Sequence, residues 1–178
     1  MADQTPLSLL RKLDSRVRSS AVGLPEQQEI AETWSGIGFR IGGHHFVSPM
    51  SEVTELLRVP AYTRLPNVKP WVLGVSNIRG RLIPLIDLGL FLSNETSVPI
   101  RSRRILVVEK DEQSDGLVVD GVDGMQYFPI DSYSDQVPDM PESIKPFVSG
   151  HFVKDSITWS RFNMGMLTEN DKFQDVAG

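Results

Sequence analysis

Between Gly74 and Leu92 the chain reads GVSNIRGRLIPLIDLGLFL, and few local structures suit it. Val75, Ile78, Leu82, Ile83, Leu85 and Ile86 are apolar, and Asn77-Ile78-Arg79-Gly80 breaks the run with turn-forming chemistry. The pattern predicts strand, tight turn, strand and then a short helix. Asp87 closes the second strand, where its carboxylate can cap a helix beginning near Leu88. Arg79 sits at the turn, where a guanidinium offers five donors to a carboxylate partner.

The rest of the chain repeats this grammar after a helical start. Thr5 can cap, Pro6 suits a first helical position, and Leu9, Leu10, Leu13 and Val17 recur at helical spacing. The other face carries Arg11, Lys12, Arg16 and Arg18 against Asp14; charged faces of this kind are usually solvated. Gly23 breaks the pattern, Pro25 restarts it, and residues 26 to 33 form a second short helical candidate. From Trp34 the period becomes two: Ile37, Phe39 and Ile41 point one way, and Gly42-Gly43 turns into a strand from His44 to Pro49. Residues 51 to 57 read as one or two helical turns with Ser51 as cap, residues 58 to 65 as a short strand and loop, and Pro70 as the start of a helical turn.

Residues 104 to 112, RILVVEKDE between two loops, resemble the first strand of a phospho-receiver domain, but Lys110 stands where a carboxylate is wanted beside a cation, and only 66 residues follow Glu112. An antiparallel hairpin turning over residues 112 to 116 and returning from Leu117 to Val122 is simpler. A strand from Met125 to Ile130, a Pro-rich acidic loop from Asp131 to Pro146, a hairpin turning at Lys154-Asp155-Ser156 and a tail from Leu167 complete the chain. About nine short strands result, which by pattern alone means an all-β sandwich or barrel.

Composition removes several function classes. The net charge of -5 argues against a general nucleic-acid or anionic-membrane binder and favours basic partners. With no cysteine there is no disulfide or thiolate zinc site. The first 20 residues lack a continuous apolar core and no run reaches the roughly 18 apolar residues of a membrane span, so a cytoplasmic chain is expected. For catalysis the sequence offers no P-loop, no Gly-x-Ser-x-Gly elbow and no His-Glu-x-x-His. Gly36-x-Gly38 lies within a strand, the wrong context for a dinucleotide fingerprint. His44 and His45, adjacent on an extended segment, face opposite sides and share no metal, and His151 has no triad spacing. No catalytic residue, metal or cofactor is expected.

Gly-Val-x-Asn-Ile-Arg-Gly-Arg, then Pro84 and Ile86-Asp87-Leu88, resembles the signature of CheW-type chemosensory adaptors. The resemblance extends upstream to His44 to Pro49 and Val53-x-Glu55, and downstream to Leu117-Val-Val-Asp-Gly-Val122. The ending, with Trp159, Phe162 and Met164, departs from the usual adaptor pattern and is closer to the PilI-type adaptors of type IV pilus (twitching) systems.

The resemblance implies a mainly β fold of two small five-stranded barrels packed around a shared core. It divides the chain into an N-terminal helical extension (1 to 33), a CheW-like domain (34 to 168) and a tail (169 to 178). It also implies a non-enzymatic adaptor that docks on the regulatory domain of a CheA-type histidine kinase and receives a chemoreceptor's helical tip between its barrels. The matched binding positions are Val53, Glu55, Gly74, Asn77, Arg79, Gly80 and Asp87, with Glu55 and Arg79 expected to form an ion pair. Pathway selectivity is expected in the N-terminal extension and the Trp159 ending. A β-barrel scaffold outside chemotaxis and an enzyme with a groove active site are the alternative readings.

Overall fold

In the computed structural model, residues 32–92, 98–110 and 112–178 are described here. They belong to one compact unit, Glu32–Gly178. The helix expected from Thr5 lies outside the described residues, as does most of the one expected over residues 26 to 33; its last residue, Thr33, is strand rather than helix.

Eleven strands are found among the described residues: β1 (Thr33–Ile41), β2 (His44–Pro49), β3 (Glu55–Arg58), β4 (Val72–Ile78), β5 (Arg81–Asp87), β6 (Arg104–Lys110), β7 (Gln113–Val119), β8 (Gly121–Pro129), β9 (Tyr133–Ser134), β10 (Val148–Lys154) and β11 (Ile157–Phe162). Three short helices join them: α1 (Leu88–Leu92), α2 (Met164–Thr168) and α3 (Asp171–Gln174). The strands form a six-stranded sheet in the order β8-β1-β2-β11-β10-β9 and a five-stranded sheet in the order β3-β6-β7-β5-β4. The fold is the mainly β, two-sheet architecture expected, except that the first sheet carries the two-residue β9 as a sixth strand where five were expected.

Both sheets curl around interiors of their own. In the second, Leu57 of β3, Ile105 and Val107 of β6, Val118 of β7, Ile83 and Leu85 of β5, and Leu73 and Ile78 of β4 meet in one cluster to which every strand contributes. In the first, Trp34, Val47, Phe128, Tyr133, Phe152, Ile157 and Trp159 do the same, with Phe128 and Phe152 stacked at 4.7 Å. The opposite faces share a third and larger core. Alternation along β6 makes this visible: Ile105 and Val107 point into the barrel, while Leu106 and Val108 join Phe39, Phe46, Leu117 and Phe162 between the sheets. Strands buried on both faces read as continuous apolar runs, which is why Ile-Leu-Val-Val resembles a parallel α/β strand.

The turns follow the residues. Gly42 and Gly43 both have positive φ (56° and 81°), as a tight two-residue hairpin demands. Gly36 and Gly38 are in mid-strand where a side chain has no room: a Cβ at Gly36 would stand 2.4 Å from the Ser48 carbonyl oxygen and 2.7 Å from the Trp34 ring, and one at Gly38 2.8 Å from the ring of Trp159.

Three local expectations are corrected. Residues 51 to 57 are not helical beyond a single 3-10 turn at Met50–Glu52; β3 follows, with Thr54 N–H donating to the Val107 carbonyl at 2.8 Å. A ladder with β6 outweighs the weak helical spacing of Val53, Leu56 and Leu57, and Leu56 turns outward while Leu57 enters the barrel. The return strand of the Arg104 hairpin begins at Gln113 rather than Leu117, because Glu112 adopts a positive φ of 69° and tightens the turn. It ends at Val119, and Gly121 starts β8 in the other sheet. Finally, residues 169 to 178 are packed: Phe173 of α3 is buried in the shared core, and Gly178 N–H donates to the Asn67 carbonyl at 2.9 Å.

Candidate functional site

β3 and β4 are the two edges of the second sheet, the strands farthest apart in its hydrogen-bonded order. Curling brings those edges together, and Glu55 at the start of β3 then stands 3.3 Å (Oε1 to Nη1) from Arg79 in the β4–β5 turn. The turn is built to hold the arginine outward. Arg79 and Gly80 have φ of 52° and 84°, and the Asn77 side-chain oxygen accepts from Gly80 N–H at 2.8 Å. The Arg79 side chain is 75% exposed and that of Glu55 24%. Glu55 Oε2 is buried without a hydrogen-bond donor among the described residues, and most of the Arg79 fork faces solvent, so the pair retains bonding capacity on both sides. Beside it, Leu82 is 75% exposed in β5. Val53, two residues before Glu55, packs half-buried against the shared core and anchors the approach to β3.

Gly74 and Asp87 are elsewhere, at the base of the same hairpin. Gly74 has φ of 144° and allows residues 63 and 64 to cross β4: a Cβ there would stand 2.1 Å from the Thr63 carbonyl oxygen. Val75 and Thr63 exchange backbone hydrogen bonds at 2.8 and 2.9 Å across this crossing. Asp87 is 3% exposed. One carboxylate oxygen accepts from Leu90 N–H at 3.0 Å, the helix cap expected, and the other from the buried Arg103 guanidinium at 2.6 Å. Arg103 also donates to the Val98 carbonyl at 2.7 Å and lies 3.7 Å from Asp120. The matched positions therefore divide into a tip, where Asn77, Arg79 and Gly80 are exposed and Glu55 is half-buried, and a foundation, where Gly74 and Asp87 are buried and Val53 is half-buried. Arg103 was not singled out in the sequence, since nothing separates it from its neighbours Arg101 and Arg104.

The ending is structural. Trp159, Phe162 and Met164 are only 5%, 0% and 2% exposed, so their side chains present almost nothing to a partner. The histidines lie apart: the His45 ring packs on Trp159 at 4.9 Å with Nδ1 3.7 Å from Asp123, whereas His44 faces a separate hollow with Trp71 and Phe91. Among the described residues no cluster of His, Asp and Glu is arranged to hold a metal, and no helix is long and apolar enough to cross a membrane.

Residues 35–168 match the CheW-like domain family. The chain is 49% identical over 174 residues to Protein PilI of Pseudomonas aeruginosa, covering 98% of this chain and 97% of that protein. It is 32% identical over 111 residues to the chemotaxis protein CheW of Helicobacter pylori, covering 62% of this chain and 67% of that one. A crystal structure of the scaffolding protein TtCheW from Thermoanaerobacter tengcongensis superposes with a TM-score of 0.68 over 84% of this chain and 96% of that one, a likeness of fold at 21% identity. Near full-length similarity and a family match spanning both curled sheets lead to one assignment: this chain belongs to the CheW-like family of chemosensory adaptors.

Proposed function

We propose that this adaptor is non-enzymatic and couples chemoreceptors to a CheA-type histidine kinase in a pathway controlling type IV pili and twitching motility. It would work at cytoplasmic receptor arrays next to the membrane, touching the regulatory domain of the kinase and the helical tip of a receptor at once. The observation that carries this reading is the Glu55–Arg79 pair, which joins the two edges of the second barrel and leaves the guanidinium 75% exposed. A surface pair adds only about 0 to 1 kcal/mol to stability. Its value therefore lies in positioning a binding surface, because charges at a rim direct partner choice and register. Simultaneous contact with two partners allows a receptor's conformational change to bias the kinase, and multivalency in an array strengthens modest affinities. The near full-length similarity to PilI supports the pilus pathway.

The test is co-sedimentation of the full chain with receptor-bearing vesicles and the kinase regulatory domain. Arg79→Glu should keep a melting temperature within about 2 °C of wild type, as surface changes of less than about 0.5 kcal/mol do, and lose receptor binding at least about tenfold. Leu82→Glu, equally neutral to folding because Leu82 is exposed, should weaken kinase binding. Wild-type receptor affinity in the Arg79 variant would remove the tip from the binding surface. A folded chain that ignores every CheA-type regulatory domain offered would leave a β-barrel scaffold outside chemotaxis.

A further inference from the structure

A second feature lies away from the tip, between the second sheet and the C-terminal segment. A cavity of about 560 Å³ is lined by residues of β4, β5, β6 and β7 on one side and by Thr168, Phe173, Gln174 and Val176 on the other. That volume lies within the range of small-ligand sites. Its existence has a backbone cause. β5 and β7 run parallel through Leu85↔Gly116 to Asp87↔Val118, and the ladder stops at Pro84, which has no N–H to offer Asp115. The C-terminal segment bridges the far side, with Lys69 N–H donating to the Val176 carbonyl at 3.0 Å and Val68 pairing with Ala177.

Most of the lining is apolar: Leu65, Val68, Val72, Pro84, Ile86, Phe173 and Val176. Against it stands one carboxylate. The Asp115 carboxylate is half-buried and has no hydrogen bond or ion pair among the described residues, and the nearby cations are engaged elsewhere: Lys110 Nζ holds Glu169 at 2.6 Å, and Arg81 holds Glu109 and Ser114. Two more acceptors line the same space, the side-chain oxygen of Gln113 and that of Gln174, whose amide N–H donates to the Thr168 carbonyl. A half-buried acid without a counter-ion is costly unless something cationic completes it.

We propose that this cavity binds a primary ammonium on an unbranched apolar stem, with the charge on Asp115 and the stem along Val72, Ile86 and Phe173. A free alkylamine and a lysine side chain of a partner share this chemistry. The electrostatic setting agrees. Burial pushes the Asp115 carboxyl above its ordinary value of 3.8 because desolvation disfavours the charged form. The sign for stability follows: an acid with a raised folded value binds more protons folded than unfolded, so its contribution falls as pH rises through that range and stays lost at neutral pH. Asp115→Asn should therefore melt higher than wild type at pH 7.5 in the absence of ligand.

Amide NMR and thermal melting of the full chain test the proposal with pentylamine, N-acetyl-lysine N-methylamide and, as the uncharged counterpart, pentanol. Saturable shifts at Gln113 and Gly116 and a raised melting temperature are expected with at least one amine and not with pentanol. Asp115→Asn should bind that amine at least about tenfold more weakly. Tighter binding of pentylamine assigns the site to free amines, and tighter binding of the blocked lysine assigns it to a partner's side chain. Silence toward both amines, an equal response to pentanol, or an unchanged affinity in Asp115→Asn would overturn it. The proposal does not depend on the adaptor reading, since neither kinase nor receptor enters the test.

Discussion

Arg103→Met is expected to lower the unfolding free energy by about 3 to 5 kcal/mol, the usual consequence of removing one partner from a buried ion pair. Arg103 and Asp87 are both 4% exposed at their side chains and 2.6 Å apart. Methionine fills much of the volume, so the loss comes from charge rather than from a cavity: Asp87 stays at the α1 cap with no cation, and the Val98 carbonyl loses its donor. The comparison that isolates this cause is Arg103→Met combined with Asp87→Asn. The asparagine oxygen keeps the cap while the orphaned charge disappears, so the pair of changes should recover a large part of the loss. Urea unfolding of the three proteins measures it. A single-variant loss under about 1 kcal/mol would show that water reaches Asp87 and that the pair does not anchor the hairpin base.

Phe162→Ala should cost a similar amount, about 3 to 5 kcal/mol, by opening a cavity. Phe162 is fully buried in the shared core and meets Phe39 edge-on at 5.8 Å, Phe46 edge-on at 5.7 Å and Phe147 at 6.0 Å. It lies at the end of β11, next to the turn into α2, where strands of the first sheet face β6 and β7 of the second. Calorimetry should show one lowered transition if the two barrels unfold as a unit, since their common core is what the substitution empties. Two separated transitions would show instead that each barrel is held by its own interior. Leu82→Ala, at an exposed position, provides the reference in which burial and not residue type sets the cost, and should stay within about 0.5 kcal/mol of wild type.

What could be read from the chain follows from the range of the interactions. Gly42-Gly43, Asn77 to Gly80 and Asp155-Ser156 carry their turn chemistry within four residues, and all three turns fall where that chemistry puts them, each with residues at positive φ. Asp87 as the cap of α1 is equally local. Residues 51 to 57 went the other way because a long-range ladder to β6 competes with a marginal helix, and a few kcal/mol of sheet pairing prevails over a spacing. The motif groups the matched positions together, yet Gly74 and Asp87 lie beneath the tip, since a strand of seven residues carries its ends roughly 20 Å apart.

By itself the sequence determined the period of two, the turns, the cap at Asp87, the absence of thiol chemistry and, through its motif, the family. Only the tertiary structure decided that β5 runs parallel to β7 and β11 to β2, which no hairpin connection announces. It alone placed Arg103 against Asp87, left the Asp115 carboxylate without a partner among the described residues at the break made by Pro84, and closed the second sheet so that Glu55 meets Arg79. The reason is common to all of these. Turns and caps are set by neighbours along the chain, whereas which strand lies beside which, and how far a sheet curls, is set by burying three apolar clusters at once.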